Sequence, residues 1–263
     1  MDIGNKKRFA MLWEKYFNDA ELPITFYYSN EEGRADLIEP GSVPRCVIGA
    51  ISEVGKGKSF SFNADSVGCF GGKRYLGFSE EVTPNIEYFL SCGIPGKVRG
   101  ERYKKSPELV EEALKRSPTF NAPSLFLVFK RWDMLEKSDD PEVVIFFATP
   151  DVLAGLFTLA NFDEVETNGV FAPLVSGCST IVQYPYLGRD FERPRCVIGM
   201  FDVSARPSVP ENTLTFAVPM NKFVRMIDNM EESFLITDSW RKLLTEVQSK
   251  SVEIVSGSEY PFC

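Results

Sequence analysis

The residues able to do chemistry in this chain are its six cysteines, at positions 46, 69, 92, 178, 196 and 263, and it has no histidine. Without an imidazole, Ser-His-Asp and Cys-His catalysis, His-ligated zinc and the usual proton shuttle near neutral pH are all excluded. A general acid or base must then be Asp, Glu, Lys, Tyr or Cys. A metal must be held by thiolates or oxygens.

Two of the thiols share a context. Pro44-Arg45-Cys46-Val47-Ile48-Gly49 recurs unchanged as Pro194-Arg195-Cys196-Val197-Ile198-Gly199. The Cys-Val-Ile runs read as strands, and free cysteine in such a run is most simply a small core residue. Two identical strands suggest equivalent places in two pseudo-related lobes. A second echo, Gly68-Cys69 and Gly177-Cys178, occurs in the reverse order relative to the hexapeptides, which argues against simple tandem duplication. Glycine lets backbone approach a ligand closely, so Cys69 and Cys178 are the better candidates for exposed thiols.

The stretch from Gly68 to Phe78 adds Gly71, Gly72, Lys73 and Arg74. A glycine-rich turn beside two cations can cradle an anion through backbone N–H groups, although Gly71-Gly72 also fits a hairpin turn. In a protein of net charge −8, Lys73, Arg74, Arg45 and Arg195 would make a local positive potential. The predicted ligand site is therefore Gly68, Cys69, Gly71, Gly72, Lys73, Cys178, Arg45 and Arg195, facing a small anionic ligand. A four-thiolate metal site from Cys46, Cys69, Cys178 and Cys196 is an alternative, but no Cys-x-x-Cys spacing announces one. Cys92 and Cys263 read as incidental, and no cofactor is assigned.

These residues need a scaffold. Phe9, Leu12, Trp13, Tyr16 and Phe17 repeat at helical spacing and predict a first helix ending before Pro23. Ile24 to Tyr28 and Cys46 to Ile51 read as strands, and Phe60 and Phe62 alternate with polar residues as in a half-exposed strand. Thr83-Pro84 predicts a short helix to Cys92, and Ser106-Pro107 a helix closed by Ser117-Pro118. Leu125 to Phe129 and Val143 to Ala148 are continuous apolar runs, the pattern of central strands. Joined through Asp139-Asp140-Pro141, they are expected to be antiparallel neighbours. Thr149-Pro150-Asp151 caps a helix to Asn161 whose N-terminus, at the end of a buried strand, suits a ligand. Thr213 to Val218 reads as a strand, followed by a helix from Pro219 and another capped near Thr237-Asp238.

The fold class is thus mixed α/β (α+β), a mixed or mostly antiparallel sheet flanked by helices. We expect one compact domain over 1–263, with pseudo-related lobes near 1–120 and 121–248 and a weakly structured tail over 249–263. The chain has 44% apolar and 25% charged residues, a globular composition. Its acidity argues against nucleic acid as a partner. The N-terminal apolar run is cut by Glu14 and Lys15, and the run from Val143 to Phe162 by Thr149-Pro150-Asp151. Neither an export signal nor a membrane span is read, which implies the cytoplasm and reduced cysteines.

Leu22-Pro23-Ile24-Thr25-Phe26, Arg45-Cys46, Gly68-Cys69-Phe70-Gly71-Gly72 with Leu76-Gly77-Phe78, Asn121-Ala122-Pro123, and Phe216-Ala217-Val218-Pro219 with Asp238-Ser239-Trp240 together resemble the uncharacterised ArCR family of archaeal and bacterial conserved proteins. The resemblance runs over nearly the whole chain. It implies an intracellular protein and carries over no catalytic residues. Three functions fit: a small-molecule or cofactor-binding protein, an enzyme whose Cys69 or Cys178 is activated by Arg45, Arg195 or Lys73, and a structural or protein-interaction role.

Overall fold

The computed structural model describes residues 3–18, 20–38 and 46–245. Helix α1 (Ile3–Phe17) buries the predicted stripe of Phe9, Leu12, Trp13, Tyr16 and Phe17. The strands are β1 (Ile24–Ser29), β2 (Asp36–Leu37), β3 (Phe60–Phe62), β4 (Phe126–Arg131), β5 (Val143–Ala148), β6 (Val170–Phe171), β7 (Cys196–Gly199) and β8 (Leu214–Pro219). They form one eight-stranded sheet in the order β2-β3-β4-β1-β5-β8-β7-β6. Only the outer pairs, β2 with β3 and β6 with β7, are parallel.

The order has an internal symmetry. The first four strands lie as 2-3-4-1 from one edge inward, and the last four repeat the arrangement as 6-7-8-5 from the other. The orientations match pair by pair, and the two sets meet at the antiparallel β1–β5 contact. The strand sets β1–β4 and β5–β8 are therefore related by an approximate two-fold at the centre of a shared sheet, with β4 at Phe126–Arg131 in the first set.

Between β2 and β3 runs α2 (Val47–Gly55); after β3 come α3 (Phe70–Tyr75), α4 (Ile86–Phe89) and α5 (Pro107–Arg116). In the second set α6 (Pro150–Ala160) follows β5. A π-helical turn (Ser179–Gln183) leading into α7 (Tyr184–Gly188) joins β6 to β7, and α8 (Met220–Asn229) follows β8. A last helix covers 238–245. The first, sixth and eighth helices and the last cover one face of the sheet, where Val144, Phe146, Phe216 and Val218 point. The other face, with Phe26, Phe129, Val143 and Ile145, is covered by α2 and the π-turn–α7 segment. Every one of those strand residues is almost wholly buried, and each large apolar side chain so buried contributes about 1.5–3 kcal/mol.

Several expectations change. Val47–Gly55 is a helix, although Cys196–Gly199, identical over Cys-Val-Ile-Gly, is a strand. The hexapeptides therefore do not occupy equivalent positions. Val47, Ile48, Ile51 and Val54 are all buried, a helical spacing that overrides the β preference of the local run. The strands β4 and β5 are both central, but β1 lies between them and pairs antiparallel with each, so they are parallel to one another. The connection over 132–142 can reach about 35 Å when extended, enough to return along one strand and step across another. Helix α4 starts at Ile86, because Asn85 at φ 60° breaks the turn predicted from Thr83-Pro84, and ends at Phe89. Gly71 and Gly72 lie in α3 and not in a hairpin. Ser61, read as the exposed side of its strand, is fully buried. The 249–263 tail lies outside the described residues.

Candidate functional site

Three of the cysteines each open a helical segment on the second face of the sheet. Cys46 is the N-cap of α2, in extended conformation, with no side-chain cap hydrogen bond. Cys69 is the N-cap of α3, and its Sγ accepts the Gly72 N–H at 3.3 Å. Cys178 immediately precedes the π-helical turn and is buried. By topology the helices that follow Cys46 and contain Cys178 are counterparts, each joining the second and third strands of its set; Cys46 is an extended N-cap and Cys178 is already helical. The symmetry thus pairs α2 with the π-turn–α7 segment and not with β7, which carries Cys196.

Packing brings the three segments together. A Cβ added at Gly72 would meet Val47 Cγ2 at 3.0 Å and Cys69 Cβ at 3.3 Å, so the start of α3 lies against the start of α2. Cys46, Cys178, Val47, Met200 and Ala205 belong to one apolar cluster. Gly177 faces Met200, whose Sδ would lie 3.0 Å from an added Cβ. Asp202, after β7, accepts the Gly177 N–H at 3.3 Å through Oδ2, and the Tyr103 hydroxyl at 3.3 Å and the Ser204 hydroxyl at 2.7 Å through Oδ1.

The thiols sense one another. Burial, above all, raises the Cys46 thiol above its ordinary range; the nearby charges of Cys69 and Asp202 add to this, and the N–H groups of Ile48 and Gly49 oppose it. Burial pushes Cys178 well up, and Cys46, Cys69 and Asp202 push in the same direction. Tyr75 is raised by burial first and then by Cys178, Tyr184 and Asp202, against the lowering effect of Arg74. The site is thus a half-buried cluster of three thiols and a carboxylate. Among the described residues, no three Cys, Asp or Glu side chains stand where one metal ion could be held.

Beside the cluster lies a cavity of about 520 Å³, lined by Ala148, Pro150, Leu153, Met200, Arg206 and Thr213 among others. Its wall includes the start of α6, the strand-end helix singled out in the sequence. Met200 belongs to both places. It sits in the left-handed region at φ 68°, a conformation that costs a non-glycine residue of order 1–3 kcal/mol.

The remaining predicted residues are spread out. Arg45 and Cys263 lie outside the described residues. Arg195, exposed at the start of β7, stacks on Phe171 at 4.3 Å. Lys73 is half-buried on α3, and the Arg74 guanidinium donates to the Glu80 carbonyl. Cys196 faces the opposite side of the sheet, in the cluster of α1, α6 and α8. Burial pushes its thiol up to about 12. A metal site of all four cysteines is therefore not assembled. Cys178, expected to be exposed, is buried because its helix packs flat on β7: a Cβ at Gly199 would lie 2.0 Å from Thr180 Oγ1. Activation of Cys178 by a neighbouring cation is not what the site provides, since its thiol is raised and not lowered.

Sequence reasoning missed Met200, Asp202, Tyr75 and Arg206. Asp202 sits in an ordinary turn sequence that gives no sign of its thiol neighbours. Cys46 reads as a core residue in the sequence, but the helical spacing after it marks an N-cap.

Two motifs behind the family resemblance also meet, just past the end of α3. Gly77, at φ 78°, accepts the Ala122 N–H at 2.7 Å, and a Cβ would press on Ala122 N at 2.8 Å. Only glycine fits that conformation and that approach. The family model described as Uncharacterised ArCR matches residues 15–229. The chain belongs to that family. No curated protein and no solved structure matches it. The family match spans the whole of the sheet and all three clustered cysteines. Among the described residues, no helix of this ArCR member is long and apolar enough to cross a membrane.

Proposed function

We propose that this ArCR protein is a cofactor- or small-molecule-binding protein whose ligand is held at the Cys46, Cys69 and Cys178 cluster. The observation that carries this reading is the convergence of three thiols from three separate helical segments on one face of the sheet. A cysteine that only fills core space needs no such partner, as Cys196 illustrates. Cys46 and Cys178, whose thiolate forms are disfavoured chiefly by burial, would gain stabilisation from a bound electrophilic or cationic group.

The surroundings favour a thiophilic group over an anion at the thiols themselves, because the charges acting on Cys46 and Cys178 are acidic ones. A small anionic molecule finds its counter-charge in the adjoining cavity, at Arg206. Native mass spectrometry of protein purified without oxygen tests the reading. We expect an adduct on the wild type that is lost in Cys69→Ser and Cys178→Ser but kept in Cys92→Ser. Absence of an adduct, or its retention in both site variants, refutes it.

A further inference from the structure

We propose that the cavity past the ends of β5 and β8 binds a small monocarboxylate with an apolar body, its carboxylate held by Arg206. The proposal gives a chemical class to the anion placed there above, and it needs no ligand at the thiols.

The cavity sits beyond three neighbouring strands. Ala148 closes β5, Leu214 opens β8 opposite it, and Met200 and Phe201 follow β7. Pro150 and Leu153 of α6 complete the apolar part of the wall. The volume of about 520 Å³ lies within the range of about 300–1,000 Å³ found for small-molecule sites, which are mostly apolar with a few polar groups that fix orientation.

Arg206 is the charged residue of that wall. It is half-buried, and its Nη1 donates to the neutral Thr213 carbonyl at 2.5 Å. Arg8, Arg34, Arg131, Arg189, Arg193 and Arg225 all pair with acidic side chains, but among the described residues no carboxylate pairs with Arg206. With Nη1 engaged, a guanidinium still presents Nε and Nη2 as a planar fork, which a carboxylate meets with two parallel hydrogen bonds. Charge selects among anions. One cation neutralises a monocarboxylate, whereas a phosphate near neutral pH carries more negative charge than Arg206 balances, and the apolar wall leaves the excess unpaired. Pro150, at the start of α6, has no N–H to add.

The rest of the wall suits the other end of such a molecule. The Phe201 ring is 44% exposed, a flat apolar surface for the ligand body to cover. Met200 and Asn212, both in the wall, are held in the left-handed region at φ 68° and 56°, and strained residues of this kind gather at ligand clamps.

The test is isothermal titration calorimetry of the full chain with benzoate, phenylacetate, isovalerate and octanoate at neutral pH. We expect saturable binding of at least one of them, with phenylacetamide and inorganic phosphate weaker by about ten-fold or more. Arg206→Gln should weaken the carboxylate by about ten-fold or more, and Arg206→Lys by less, since lysine keeps the charge and loses the fork. Leu153→Trp, which fills the cavity and leaves the charge in place, should abolish binding. Circular dichroism confirms that each variant is folded, and Cys69→Ser should bind as the wild type does. No saturable binding of any of the four carboxylates, phenylacetamide or phosphate binding as tightly as they do, or unchanged binding in folded Arg206→Gln or Leu153→Trp overturns the proposal. Carboxylate binding to a protein with no adduct at the thiols upholds it and removes the thiol-ligand reading. An adduct without carboxylate binding does the reverse.

Discussion

Replacing Asp139 by Asn should destabilise the protein severely, because Asp139 is the hub of a buried polar network in the connection between the two strand sets. Its Oδ2 accepts from Lys130 Nζ at 2.9 Å and from the Glu136 N–H at 2.8 Å, and its Oδ1 from the Tyr27 hydroxyl at 2.6 Å. The Lys130 and Asp139 side chains are 3% and 4% exposed. Asparagine can keep an oxygen toward Lys130 and the Glu136 N–H and donate to the Tyr27 hydroxyl, but it leaves the buried Lys130 ammonium without a counter-charge. Removing one partner of a buried pair costs about 3–5 kcal/mol, a large part of the 5–15 kcal/mol typical of a whole domain. Urea unfolding followed by circular dichroism measures it.

Controls sharpen the test. Lys130→Met alone should cost a comparable amount, and Asp139→Leu with Lys130→Met much less than the sum, because an apolar pair leaves no buried charge. The pH dependence has a definite sign. Burial pushes the Asp139 carboxyl up, but the Glu136 N–H, the Tyr27 hydroxyl and Lys130 outweigh it and hold the carboxyl below its ordinary value. The folded state therefore takes up the proton less readily than the unfolded chain does. The stabilisation is fully present above about pH 4, the unfolded carboxyl range, and is lost as pH falls through the folded value. Strictly additive single costs, or a wild-type advantage over Asp139→Asn that grows on acidification, would show that this network is not what the carboxylate stabilises.

Gly199→Ala forces a Cβ to within 2.0 Å of Thr180 Oγ1 and 2.8 Å of Thr215 Oγ1. It should cost about 1–3 kcal/mol in thermal unfolding; an unchanged melting temperature would contradict the tight seating of the Cys178 helix on β7. Trp240→Ala removes a side chain that donates to the Tyr16 carbonyl at 2.7 Å and packs on Phe17 and Phe234. A loss of about 3–5 kcal/mol is expected in urea unfolding, and a loss under 1 kcal/mol would mean that the last helix is not docked there. In the ligand-free protein, iodoacetamide should react with Cys46 and Cys178 only at pH values above those that suffice for a free thiol of pKa about 8.5. Peptide mapping checks this, and rapid neutral labelling of Cys178 would refute its burial.

The sequence by itself determined the class of the fold and most of its elements. The stripe from Phe9 to Phe17 makes α1, the unbroken apolar runs make β4 and β5, and Ser106 caps α5 by accepting the Leu109 N–H. Each is a local signal, in which the periodicity or capping chemistry is contained in a few neighbouring residues. It also determined that no imidazole takes part in any chemistry of the chain. What only the tertiary structure decided was long-range. The insertion of β1 between β4 and β5 leaves no mark on either strand, because the backbone N–H and C=O groups of any neighbouring strand satisfy its hydrogen bonds, whatever the side chains. The two copies of Cys-Val-Ile-Gly became helix and strand because the same four residues can bury their side chains in either form, and the partners that accept them lie far along the chain. For the same reason the topological counterpart of α2 is the π-turn–α7 segment, and not the strand that repeats its sequence. Equivalence here is set by position in the sheet and not by residue identity.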